Sequence, residues 1–143
     1  MAALAQIQTY SENTGPNGRG KVKGTTQIFE GGLLGRTTAG FLRPFATGDF
    51  FAGHALEDCN NVAGADGAKY CKYRRGTYYA TVPVFGSVTI ANIGDRVWAV
   101  TDNHADLTIV DPGTTKTTTD LVGYIHDIDE SGAVIIKFVA RDN

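Results

Sequence analysis

Between Gly48 and Gly76 the chain reads GDFFAGHALEDCNNVAGADGAKYCKYRRG, and this stretch limits most sharply what can form around it. An apolar run, Phe50 to Leu56, leaves a Gly-Asp turn. A loop of small residues, Asn60 to Gly67, reverses the chain. A second run then carries Lys69, Lys72, Arg74 and Arg75 to a turn glycine, Gly76. Apolar runs this short, bounded by Gly, Asn and Asp, predict half-buried strands of a hairpin. Gly76 is expected to hold a positive φ at the turn into Thr77, a conformation that costs glycine nothing. The same punctuation runs through the whole chain: 18 of its 143 residues are glycine, nearly twice the usual share. Many tight turns and no long helical window point to β structure.

Taken in order, TQIF from Thr26 is a first strand, broken by Gly31-Gly32. LLGRTT and FLRPF follow, and Pro44 marks the second as an edge or a strand end, because proline cannot donate to a ladder. In TYYATVPV, Tyr78, Ala80, Val82 and Val84 alternate with Thr77, Tyr79, Thr81 and Pro83, the period of a strand with one inward face. DRVWAVTD places Trp98 and Val100 on one face and Val97 and Ala99 on the other. DNHAD is a turn into LTIV, Asp111-Pro112-Gly113 fits a type II turn, and a Thr-rich connector follows. LVGYIHDI and AVIIKFVA close the chain as a hairpin over Asp129 to Gly132. Strands at this spacing predict an all-β sandwich or small barrel over residues 25–143. The last strand is apolar on both faces, Val134, Ile136 and Phe138 on one and Ile135 and Val139 on the other. A single interior covers only one of them, so the second predicts a partner copy.

Residues 1–24 read as an arm. SENTGPNGRGKVKG has one Val as its only core former and cannot bury enough apolar surface to fold alone. Leu4, Ile7 and Tyr10 would anchor it against a neighbouring subunit, and the cations Arg19, Lys21 and Lys23 follow them. No apolar run approaches a membrane span, the first residues make a poor signal peptide, and the chain reads as cytosolic at synthesis. A net charge of −2 argues against a nucleic-acid partner. Cys59 and Cys71 are expected as reduced thiols, although the loop they flank would also allow a disulfide.

Catalytic and metal signatures are absent. His54, His104 and His126 are scattered, and His104 reads as a solvated turn residue. His54, Cys59 and Cys71 lack a fourth ligand and the paired spacing of a zinc site. Asp127, Asp129 and Glu130 read as a charged hairpin tip rather than a calcium loop. No phosphate-binding loop is present. No cofactor is expected. The most distinctive charge feature is Lys69, Lys72, Arg74 and Arg75 with Tyr78 and Tyr79 beside them, a possible interface. Such interleaving can also stack single-stranded nucleic acid.

The ordered set GDFFAGHALEDCNNVAGADGAKYCKYRRGTYYATV, NIGDRVWAVTDNHADLTI and DLVGYIHDIDESGAVIIKFV resembles the capsid-decoration (cement, head-stabilising) proteins of tailed bacteriophages. Gly48, Asp49, Gly53, Gly76, Gly94, Val97, Gly123 and Gly132 sit where that pattern wants them, over residues 31–143. The longer, more basic arm and the cysteine pair depart from it; against the acidic capsid surface that the resemblance implies, Arg19, Lys21 and Lys23 of the arm would supply attraction and Leu4, Ile7 and Tyr10 grip. The resemblance implies a small β-barrel or β-tulip-like subunit, usually a homotrimer, that binds the major capsid protein on the outer surface of the virion and reinforces it without catalysis. It would pass through the host cytoplasm during assembly. Two other readings fit the same residues: a tail-tube or head-fibre base protein, and a carbohydrate- or nucleic-acid-binding β module.

Overall fold

Alternation of apolar and polar side chains sorts the strands into layers. A computed structural model of the chain describes residues 17–82, 88–109 and 121–140. In β8 (Thr77–Val82), Tyr78 and Val82 turn inward while Thr77, Tyr79 and Thr81 stay exposed. In β11 (Val134–Val139), Val134, Ile136 and Phe138 are buried and Val139 is exposed, as the two-sided pattern requires. These strands pair with β10 (Leu121–Ile128) and β9 (Arg96–Trp98) in a four-stranded antiparallel sheet of order β8-β11-β10-β9. The β10–β11 turn is set by Asp129, whose Oδ1 accepts from the backbone N–H of Ser131 and Ala133, with Gly132 at φ 89°.

The second sheet has five strands in the order β1-β7-β5-β3-β4. They are β1 (Asn17–Lys21), β3 (Leu33–Arg36), β4 (Leu42–Pro44), β5 (Phe50–Ala55) and β7 (Tyr70–Arg74). β4, with Pro44, is an edge strand, where the missing N–H costs no ladder bond. A two-stranded ribbon, β2 (Thr26–Ile28) with β6 (Cys59–Asn61), completes the set. The fold is all-β and sandwich-like. The five-stranded sheet curls until a single parallel bridge, Val22 to Leu42, joins its two edges at one end, but no barrel closes.

Two cores result. One lies between the sheets: Leu33 and Phe51 of the five-stranded sheet meet Tyr78, Val82, Val97, Val122, Ile125, Val134, Ile136 and Phe138. The other fills the curl with Val22, Ile28, Leu34, Leu42, Ala52, Ala55, Cys59, Cys71 and Tyr73. Side chains as large as Phe51 and Phe138, each at 1% exposure or less, stabilise by about 1.5–3 kcal/mol apiece. Gly53 lets β5 and β7 approach closely, since a Cβ there would sit 1.7 Å from the Arg74 carbonyl oxygen. Gly76 has φ 77°, the left-handed turn its place in the sequence predicts.

The boundary of the arm moves. Residues 17–24 belong to the fold: β1 pairs along its whole length with β7, and Val22 is fully buried. Asn61, itself buried, donates from Nδ2 to the carbonyls of Val22, Lys23 and Ala65, tying this segment to the loop after β6. Composition alone missed this because β1 brings no core side chain. Its inward positions are Gly18 and Gly20, which let the backbone lie against Tyr73 and Leu42. Leu4, Ile7, Tyr10, Val84, the turn at 111–113 and the Thr-rich connector lie outside the described residues.

Candidate interaction faces and an internal histidine pair

The β1–β7 register assembles a charged face from two distant parts of the sequence. Arg19 stands directly opposite Lys72, and Lys21 opposite Tyr70. All four side chains are exposed, whereas Cys71 and Tyr73, the alternate residues of β7, point into the curl. Lys69 is exposed just before the strand begins. Like charges directly opposed across a strand pair destabilise it. Arg19, Lys21, Lys69 and Lys72 form no ion pair among the described residues, where the salt bridges are Lys23–Asp66 and Arg43–Asp49. Glu57 borders the face: its Oε1 accepts the Lys72 backbone N–H at 2.9 Å.

The other expected interface residues separate. Lys23 turns to Asp66 at 4.0 Å and leaves the group formed by Arg19 and Lys21. Tyr78 is not an interface residue, because its place in the alternation puts it inside at 6% exposure, stacked on Phe138. Arg74 is half-buried with its guanidinium over the Tyr78 ring at 5.0 Å. Arg75 runs its stem beside Gly18, on the side of the strand away from Lys72. Tyr79, at 56% exposure, belongs to another surface, the outer face of the four-stranded sheet. There the registers align Tyr79, Lys137, Tyr124 and Arg96 in one row across all four strands. Exposed Val139 and half-buried Ile135 flank the row on β11, and His126 lies against the Tyr79 ring at 4.7 Å.

Two histidines that look unrelated in sequence meet. His104, in the turn His104–Asp106, is half-buried rather than solvated, and its Nε2 lies 2.8 Å from His54 Nε2. His54 Nδ1 shares a hydrogen bond with the Tyr78 hydroxyl. Burial, and then the neighbouring His104, push His54 down to about 3, and burial lowers His104 as well. Burial raises the Tyr78 hydroxyl far above its ordinary value. Both imidazoles are therefore neutral near pH 7, with one Nε2–H donating to the other. A base this weak and a phenol this reluctant to ionise suit a hydrogen-bonded tie between β5 and the turn, not proton transfer.

Cys59 and Cys71 are both free and buried. The Cys71 thiol is pushed up to about 12 by burial and then by Cys59, and Cys59 is raised by burial, so both stay protonated. They sit in the curled core, while His54 packs in the other one against Phe51 and Phe138, which separates the three residues weighed as zinc ligands. Among the described residues no group of three or more His, Cys, Asp or Glu could hold a metal ion, and no helix is long and apolar enough to cross a membrane. No family model, curated protein or solved structure matches the chain.

Proposed function

We propose that the chain is a structural subunit of a tailed-phage virion that associates with copies of itself, as a trimer by the resemblance, and lies on the outer capsid surface as a reinforcing layer. The observation that carries this reading is the outer face of the four-stranded sheet. Tyr79 and Tyr124 are exposed on either side of Lys137 in one row, with Val139 exposed two positions further along β11, on strands whose opposite face is already a core. Tyrosines with an apolar body and a polar tip are favoured anchors of protein interfaces, and lattice-forming subunits need such faces. The Gly-Asp strand start and the ordered glycines that carry the resemblance support the virion assignment. Light scattering on the intact chain at micromolar concentration is expected to give a small discrete oligomer. The pair Tyr79→Ser and Tyr124→Ser, exposed and outside both cores, should stay folded and dissociate about tenfold more readily. A wild-type monomer would overturn self-association through this face.

A further inference from the structure

We propose that the β1–β7 face is a docking surface whose occupant is an acidic protein surface, a set of carboxylates presented by a folded assembly. The face joins Arg19 and Lys21 to Lys72, with Lys69 at its margin, although some fifty residues separate the two groups in sequence. A chain of net charge −2 holds these cations together with Arg19 and Lys72 directly opposed, an arrangement that folding alone does not favour. An acidic partner removes that repulsion on contact and gains attraction from the same charges.

The aromatic content of the face decides between partners. A single-stranded nucleic-acid platform needs several exposed rings among its cations. Among the described residues Tyr70 is the one ring on the face, at 49% exposure, because Tyr73 and Tyr78 are buried and Tyr79 lies on the other sheet. Strand backbones also hold Arg19, Lys21 and Lys72 in fixed register, which suits a rigid complementary surface. Which assembly supplies the carboxylates rests on the virion reading; by that reading it is the outer surface of the capsid.

The test compares the intact chain with the double variant Arg19→Glu and Lys72→Glu, both exposed and outside the two cores. Ala91→Glu, exposed in the short turn before β9 and outside both proposed faces, is the control. Binding is measured to immobilised poly-L-glutamate, to oligo(dT), and to bare capsids of the encoding phage, at low and moderate salt. The wild type and the control should bind poly-L-glutamate, more weakly as salt rises, and the double variant roughly tenfold or more weakly than either. Equal binding by the double variant, or tighter binding of oligo(dT) than of poly-L-glutamate, would overturn the proposal. Patch-dependent binding to poly-L-glutamate with no binding to capsids would leave the face standing and sink the virion reading. Capsid binding that ignores the double variant would do the reverse.

Discussion

Arg43→Ala is expected to lower the stability of the fold by about 3 kcal/mol, because it strands a buried carboxylate. Asp49 is only 5% exposed, and its two oxygens take a bidentate grip from Arg43, Nε to Oδ2 at 2.8 Å and Nη2 to Oδ1 at 2.7 Å. Oδ2 also accepts the Ala46 N–H at 3.2 Å, so the carboxylate ties the β4–β5 turn as well as the ion pair. Gly35 makes room for it: a Cβ on that residue would lie 2.3 Å from Oδ2. The hydrogen bond to Asp49, partly offset by burial, raises the Arg43 pKa above its ordinary value. The partners are unequal. The Arg43 side chain is 32% exposed and can turn to water, whereas the carboxylate cannot. Asp49→Ala should therefore cost less than Arg43→Ala, and the double variant less than the sum of the two. Thermal unfolding checks this. A loss of this size lowers Tm by roughly 10 °C in a domain of about this length, and strictly additive costs would contradict the pairing.

Acid should weaken the protein well above the range in which carboxylates titrate. His54 is held neutral first by burial, with Phe51 and Phe138 packed at its ring, and then by His104 at Nε2, while its Nδ1 shares a hydrogen bond with the Tyr78 hydroxyl. An unfolded histidine takes up a proton near pH 6.5, but the folded one resists down to about 3. The unfolded state thus binds the extra proton throughout that interval. Stability contributed by neutral His54 is complete above about pH 7 and is lost as pH falls, at up to about 1.4 kcal/mol per pH unit. His104, lowered in the same direction, adds to the loss. Asp129, held below its ordinary value first by its hydrogen bond to Ser131, adds its own loss only nearer pH 4. Urea unfolding between pH 7.5 and 4.5 separates the two windows. His54→Gln keeps a donor and acceptor without a titratable group, so it should flatten the slope across that range. Identical slopes for His54→Gln and the wild type would remove His54 as the cause. Trp98, the only tryptophan and buried in the strand that leads into the His104 turn, reports the transition by fluorescence.

How far the fold was legible varies with what fixes each element. β8 announces itself by alternation, since a buried face demands an apolar residue at every second position, and β11 by a run that is apolar at every position but Lys137. Pro44 identified an edge for the same kind of local reason. β1 and β6, reading NGRGK and CNN, carry no such pattern, and their pairing comes from β7 and β2, which lie far away in sequence. The site divides in the same way. Cations on β7 were visible, but their merger with Arg19 and Lys21 depends on a register that only the folded sheet defines. His54 and His104 lie fifty positions apart and meet because a turn after β9 reaches across to β5. Tyr78 was legible twice over, as an aromatic beside cations and as an inward position of β8; burial decided for the second.

On the proposed virion reading, adding the intact chain to bare capsids of the phage expected to encode it, and imaging them by electron microscopy, tests the central claim most directly. The account predicts regular added density on the outer capsid surface, in discrete oligomeric units, with the β1–β7 face of each subunit turned toward the shell. Capsids that stay bare at saturating concentrations of folded, oligomeric protein would contradict it.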